Sequence, residues 1–319
     1  MRYDSLVGFR PTGKECFVKY PFSCLLATTS LFTSVGALSS VAGMGVATGL
    51  VLNYYLNYEY RDYGAYNIAD YEEDINVTLN KYNRTSKANY LTALKPYELA
   101  NIARYKVEQH QYVKSIGLGS VKASVVTQTI NSYYQKSQDT YFFENISLGF
   151  TNIFKRFYQK GDMVDQHRGS DYATWNHEPF ESLNLEQFEE KWGRNLSRSS
   201  IFIISNKTVL ADQCSATKVG DEIHVSLELH PITSVLRYVK QMVATSDLDA
   251  APNFHKMHID MVLDEDLNLI STKTDEVYDV KSFGITAKNS KGYLQETLIY
   301  DVPEELVGLD EACDYVIGG

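Results

Sequence analysis

From Tyr20 to Tyr58 the chain carries no charged residue, and within that stretch Leu25 to Leu56 is long enough to cross a hydrocarbon core of about 30 Å at about 1.5 Å per residue. Such a segment has few fates. It spans a membrane, is cut as a signal peptide, or is buried as an Ala/Gly-rich hairpin. Arg2, Arg10, Lys14 and Lys19 precede it, while Glu59, Asp62, Asp70, Glu72, Glu73 and Asp74 follow it. The positive-inside rule therefore keeps the N-terminus in the cytoplasm and places the rest of the chain outside. Tyr54, Tyr55, Tyr58 and Tyr60 fall where an interfacial aromatic belt sits.

The organisation this predicts is a basic cytoplasmic N-terminus over 1–20, a transmembrane anchor or signal segment over 21–56, and a stalk over 57–90. A globular ectodomain over 91–305 and a tail over 306–319 complete it. Retention of the segment gives a single-pass cell-membrane protein with its C-terminal domain extracytoplasmic. Cleavage near Ala47, with Gly45 and Ala47 as the small residues of a peptidase site, gives a secreted one. Ser39, Gly43 and Ala47 have the small-xxx-small spacing that lets two helices approach, so weak homo-oligomers through the membrane helix are expected. Cys24 precedes the apolar run, whereas a lipoprotein cysteine follows it.

The formal charge is −10 and the pI about 5.2. Such a surface repels phosphates, which argues against nucleic acid as a partner. Four cysteines, Cys16, Cys24, Cys214 and Cys313, lack C-x-x-C spacing, so neither a zinc ribbon nor a disulfide scaffold is expected. In an exported domain Cys214 and Cys313 are the pair available for one bridge. The 24 tyrosines, beside many Val, Ile and Thr, suit half-buried pleated surfaces and tilt the expectation towards strands.

Periodicity then assigns the elements. Pro96 fits a first helical turn, with Leu99, Ile102, Ala103 and Val107 on one face. Asn184 and Gln187 form a capping box, Leu183 and Phe188 a hydrophobic staple, and Gly193 a stop for a second helix. A third is expected over Pro231 to Thr245. Elsewhere the period is two. Ile223, Val225, Leu227 and Leu229 alternate with polar residues, as do Met257, Ile259, Met261 and Leu263, and Asp264-Glu265-Asp266 turns the chain back into Leu267 to Tyr278. Further strands are expected at Ser120 to Tyr134, Thr140 to Ser147, Asn152 to Gln159, Gly284 to Ala287 and Tyr293 to Tyr300. Short polar connections between them imply an antiparallel sheet. The fold class is α+β: a large curved antiparallel sheet with about three helices on its concave face, preceded by the N-terminal transmembrane or signal helix.

Leu94-Lys95-Pro96-Tyr97-Glu98-Leu99, then Gln128-Thr129-Ile130 and Tyr141-Phe142-Phe143-Glu144, then Leu227-Glu228-Leu229-His230-Pro231 running into Tyr238-Val239-Lys240-Gln241-Met242 form a distinctive order. In that arrangement, over roughly residues 90 to 305, the chain resembles the LolA/LppX-like half-barrel extracytoplasmic proteins. The hairpins through Leu263-Asp264 and Glu276-Val277-Tyr278 also match lipoproteins of this kind from Gram-positive bacteria. The resemblance implies acyl-chain binding or envelope sensing in the concave face. It also implies anchoring through a lipidated cysteine, which this chain lacks at the expected place.

Chemical motifs are weak. His255-Lys256-Met257-His258 suggests a metal pair, but strict alternation puts the two histidines on opposite faces. Asp264 to Asp275 imitates a calcium loop yet has Leu269 where a glycine is needed. Gly117-Leu118-Gly119 lacks a third glycine, and Ser215-Ala216-Thr217-Lys218 lacks the S-D-N and K-T-G companions of penicillin-recognising enzymes. Asn76, Asn83, Asn145, Asn195 and Asn206 begin sequons that a bacterial exported protein does not use. No catalytic residue, metal ligand or cofactor site is predicted.

The expected function is therefore a membrane-tethered extracytoplasmic binding or sensing module for a lipid-like hydrophobic ligand, lined by Met257, Ile259, Met261 and Leu263, with Trp175 as a loop anchor. The alternatives are a structural or adhesive surface protein without a ligand, and a secreted hydrolase.

Overall fold

The computed structural model describes residues 58–300, apart from 111, 122–124, 138–139, 149–151, 172–173, 195, 197–200, 246–247 and 283–284. The segment expected to anchor the chain (21–56), the basic N-terminus, the tail and Cys16, Cys24 and Cys313 lie outside the described residues, and with Cys313 lies any bridge to Cys214. Among the described residues no helix is long and apolar enough to cross a membrane.

The described chain is α+β. Helices α1 (Ile75–Asn83), α2 (Tyr90–Ala93) and α3 (Pro96–Gln109) lead into a meander of β1 (Tyr112–Val121), β2 (Val125–Ser137), β3 (Thr140–Leu148), β4 (Ile153–Lys160), β5 (Met163–Arg168) and β6 (Glu181–Asn184). Then come α4 (Leu185–Trp192), β7 (Ser215–Val219), β8 (Glu222–Leu229), α5 (Leu236–Thr245), β9 (Ala250–Leu263), β10 (Leu269–Ser282) and β11 (Ile285–Tyr300). All strands join one open sheet in the order β6-β5-β4-β3-β2-β1-β11-β10-β9-β8-β7. The antiparallel pairing of β1 with β11, Val113 opposite Tyr300 through Val121 opposite Gly292, joins the two halves of the chain.

Local chemistry explains the elements that the sequence predicts. In α4 the Asn184 side chain accepts from the Gln187 amide at 2.9 Å, and Gln187 returns the bond to the Asn184 amide at 3.1 Å. Gly193, at φ 71°, ends the helix, and a Cβ there would lie 2.4 Å from the Arg237 carbonyl, so only glycine allows α4 to approach α5. In α3, Pro96 opens the helix while Glu98 accepts from the Lys95 amide at 2.7 Å and from Lys81 Nζ at 2.6 Å. Strand β8 buries Ile223, Val225, Leu227 and Leu229 and leaves His224, Ser226 and Glu228 on its other face.

Several boundaries differ from expectation. The single strand expected over Ser120 to Tyr134 is two, β1 and β2, and Gly117 and Gly119 lie inside β1 because both sit against the backbone or side chains of β11. The two short strands expected after Gly284 are one, β11. Helix α5 begins at Leu236 instead of Pro231, since the His230 carbonyl accepts from the Ser234 amide and its ring Nδ1 faces the Thr233 amide, folding that stretch into turns. Short strands β5, β6 and β7 carry too little alternation to be read. Five helices are present among the described residues where about three were expected.

From Tyr58 onward, the segment expected as a stalk over 57–90 is folded onto the sheet. Strand β8 pairs with β9 only over Met257–Leu263, which leaves the upstream edge of β9 open. Residues 58–63 occupy that edge: Tyr58 donates to the Ala251 carbonyl, Tyr63 to Pro252 at 2.7 Å, and Arg61 to Phe254 at 2.8 Å. Side chains thus satisfy the unpaired carbonyls that a bare edge would expose. Glu73 accepts from the Asn206 amide at 2.9 Å, and Tyr90 and Leu94 are buried in the main core.

Helix α3 lays Leu99, Ile102, Ala103 and Val107 against the inner rows of β8 and β9, making the larger of two cores. The smaller gathers Phe157, Val164, Phe188, Trp192 and Leu196 beneath α4. Leu227 is fully buried in the larger core, so Leu227→Ala is expected to cost about 2–5 kcal/mol. Glu228→Ala on the opposite face should cost about 1 kcal/mol or less. Urea unfolding of the two variants checks this, and equal losses would mean that the β8 register is wrong.

Candidate ligand site on the helix-bearing face

The face on which each strand residue lies follows from the ladders. Met257 pairs with Glu276, Glu276 with Gly292, and Gly292 with Val121. The apolar row of β9 therefore continues across the sheet as Thr272, Thr274 and Glu276 on β10, then as Gly292, Leu294, Glu296 and Leu298 on β11, then as Ser115, Gly117 and Gly119 on β1. Leu294 and Leu298 are the large apolar side chains among these residues. Both apolar ends of the face are already covered, one by α3 together with α5 and the other by α4, and Tyr238 of α5 reaches onto the more polar rungs between them at Glu276.

Met257, Ile259, Met261 and Leu263, expected to line a ligand, are all at most 4% exposed and are packed in the core beneath α3. Trp175 lies on the other face of the sheet. It forms a bridge with Gly169, meets the Phe154 ring edge-on at 6.5 Å and is stacked by the Arg156 guanidinium at 3.8 Å. Phe154 and Arg156 alternate with Lys155 and Phe157, and Phe157 faces α4. The structure thus brings the four core residues together and separates Trp175 from them.

Sequence reasoning missed Glu276. Its Oε1 accepts a hydrogen bond from the Tyr238 hydroxyl of α5 at 3.3 Å, while Oε2 is sealed from solvent and has no partner. Burial pushes its carboxyl up to about 7, against which the Tyr238 hydrogen bond acts only weakly. Burial likewise raises the phenols of Tyr238 and Tyr278, with the nearby Glu276 adding to both shifts. Gly292 is what lets the Glu276 side chain lie across β11, since a Cβ there would stand 2.3 Å from Oε1. Glu296 leans the same way over Gly117 and accepts from Ser115 Oγ at 2.9 Å. The missing signal has a simple cause: both faces of β10 read as polar, so no apolar alternation marks Glu276 as inward.

On the opposite face a second cluster has the outline of a hydrolytic triad. Ser226 Oγ stands 3.3 Å from His258 Nε2, and His258 Nδ1 stands 2.9 Å from Glu228 Oε2. Asp260 spoils the arrangement. Its Oδ1 lies 3.0 Å from the same Nε2 and accepts from Ser226 at 2.7 Å. Partial burial pushes the Asp260 carboxyl up, but hydrogen bonds from Ser226 and His258 outweigh it and hold it below its ordinary value. Asp260 thus takes the Ser226 hydroxyl hydrogen bond and also faces Nε2, the position that a base serving Ser226 would need free. The amides of β8 are also engaged in ladders to β7 and β9, so among the described residues β8 offers no free amide pair beside the serine as an oxyanion hole.

The histidine pair behaves differently from its expected alternation. A bulge falls between Phe254 and Met257, so His255 and Lys256 are both exposed and His255 shares the outer face with His258. The two remain apart in chemistry, because His255 Nε2 faces Asp279 at 3.2 Å. Among the described residues no group of three His, Cys, Asp or Glu is placed to hold a metal. The Asp264 loop is a hydrogen-bonded turn in which Asp264 accepts from the amides of Asp266 and Asn268, both at 2.8 Å.

Glu276 gives a pH signature with a definite sign. Its folded value lies above the unfolded one, so between about pH 4.5 and 7 the folded state binds the proton more tightly, and this contribution to stability is lost as pH rises through that window. Glu276→Gln removes the slope. The variant should match the parent near pH 4.5 and exceed it above pH 7 by about 3 kcal/mol at most, as measured by denaturant unfolding at each pH. Parallel stability profiles would show that the carboxylate is hydrated in the fold.

No protein-family model and no curated protein matches this chain. Among solved structures it is similar to a LolA superfamily protein from Nitrosomonas europaea, at 10% identity over 66% of this chain and 94% of that one, with a TM-score of 0.23. It is also similar to an inactive mutant of the CurK dehydratase, at 9% identity over 66% and 84% of the two chains, with a TM-score of 0.14. These scores are too low to carry the fold, which rests on the strand order and registers above.

Proposed function

We propose that this chain is a membrane-tethered extracytoplasmic binding module for an amphiphilic, lipid-like ligand, seated on the helix-bearing face in the strip between the two cores. The observation that carries this reading is Glu276, a carboxylate with one oxygen unpartnered and sealed from water in the middle of the sheet. A face meant only for packing would place an apolar side chain there, because a buried polar group without a partner costs stability. In this reading the sheet curves around the strip as a half-barrel. The ligand meets the strip with a polar group and directs its apolar part towards Leu294 and the cores on either side. An acyl chain alone fits the strip poorly, since Thr272, Thr274, Glu276 and Ser115 offer it little apolar contact.

The tether is supported by the uncharged segment over 21–56 and by the basic residues before it. Secretion after cleavage near Ala47 is the alternative fate. A hydrolase is not favoured, because the Ser226–His258–Glu228 group has its base blocked by Asp260.

A reporter fused after Gly319 is expected to be active only outside the cytoplasm, and cytoplasmic activity would overturn the topology. For the ligand, the full chain extracted in mild detergent should release an amphiphile in roughly equimolar amount when denatured and analysed by mass spectrometry. A chain that carries no such molecule and takes none up from a lipid extract would remove the binding reading.

A further inference from the structure

The strip holds a second orphaned polar atom beside the first. Ser290 on β11 pairs with Tyr278, one step along the same face from the Gly292–Glu276 pair. It is 1% exposed, and its Oγ has no partner. Two acceptors, Glu276 Oε2 and Ser290 Oγ, therefore stand on neighbouring rungs of one ladder.

Their surroundings are aromatic. The Phe254 ring lies between those of Tyr238 and Tyr278, at 5.5 and 5.3 Å, and Tyr238 in turn meets Phe202 at 5.0 Å. No Lys or Arg among the described residues pairs with Glu276. An acidic group, open acceptors and π faces, without a resident cation, make an environment that favours one kind of guest. A carboxylate or phosphate would be repelled by Glu276. A neutral carbonyl would bring no donor. An alcohol would satisfy one oxygen and leave its charge unbalanced.

Building on the binding reading above, we propose that the ligand is anchored by a protonated primary amine, which donates to Glu276 Oε2 and Ser290 Oγ beside the rings of Phe254 and Tyr278. The ammonium group supplies three donors, so a water or ligand oxygen can take the third. Arrival of the cation also returns Glu276 to its charged form, which burial alone disfavours.

The test uses the full chain in mild detergent and three soluble probes of equal chain length, hexylamine, hexanol and hexanoate, titrated calorimetrically at about pH 8. Hexylamine is expected to bind about tenfold tighter than hexanol, with hexanoate weakest. Glu276→Gln should bring hexylamine down to the level of hexanol while leaving hexanol within about twofold, and Ser290→Ala should weaken hexylamine about threefold. Thermal unfolding of both variants verifies that the fold is kept, and Glu276→Asp, which withdraws the carboxylate while keeping its charge, should weaken the amine selectively. Equal binding of hexylamine and hexanol to the parent chain, or an amine preference that survives in Glu276→Gln, would overturn the amine anchor and leave the binding module standing. Binding of none of the three probes to chain first stripped of its co-purified amphiphile would overturn the amine anchor, whereas the binding module falls only if no amphiphile is released or taken up.

Discussion

The pairing of β9 with β10 is the constraint on which the rest of the sheet depends. Phe254 stands opposite Tyr278 and Met257 opposite Glu276, with the bulge at His255 and Lys256 between the two pairs. Residues three apart in a regular strand face opposite ways. The bulge reverses this, so Phe254 and Met257 are both buried on the helix-bearing side. Without the extra residue, either the aromatic stack at Tyr238 or the methionine row under α3 would face solvent. The same register sends Glu276 inward, and through β11 it decides that Gly292 and Gly117 are the residues beneath the two glutamates.

A second junction holds the helices to that sheet. Arg237 of α5 is buried, and its guanidinium donates to the Gly193 carbonyl at the end of α4 at 2.8 Å, to Glu189 at 3.2 Å and to Glu72 in the lead-in at 2.5 Å. One planar cation thereby ties together three segments distant in sequence, and it satisfies a helix C-terminal carbonyl that would otherwise be orphaned. Next to it in sequence, Tyr238 reaches Glu276. The position of the candidate site is therefore set by the helix whose placement Arg237 fixes.

How much of this the sequence discloses varies with the kind of signal. Strand β8 and the apolar half of β9 were legible because one wet and one dry face impose a period of two, and α4 was legible because caps and a staple are local chemistry. The stalk expected over 57–90 differs from the folded lead-in because the lead-in's contacts are long-range: tyrosine hydroxyls and Arg61 meet carbonyls of β9 nearly two hundred residues on, and no local pattern reports them. The bulge at His255 was hidden for a related reason, since a one-residue slip leaves composition unchanged. The predicted ligand residues were picked for apolarity, and apolarity is also what fits them to the core under α3. The site that the geometry favours is polar on both faces of its strand, so hydrophobic pattern could not single it out.

The two polar clusters of the sheet also differ in a way that separates support from binding. On the outer face, Ser226, Glu228, His258 and Asp260 answer one another: both histidine nitrogens face a carboxylate, and the serine donates to Asp260. Such a cluster is complete, lies partly in water, and asks for no further partner. On the inner face the carboxylate has one oxygen filled and one empty, and the neighbouring serine has none filled. Burial makes that incompleteness costly, because water is not there to compensate. A leucine or methionine at position 276, continuing the row from Met257, would join the two apolar cores across the strip and remove the cost. That the chain carries a glutamate there, with a glycine opposite to make room for it, is understandable if the missing hydrogen-bond donor arrives with a ligand.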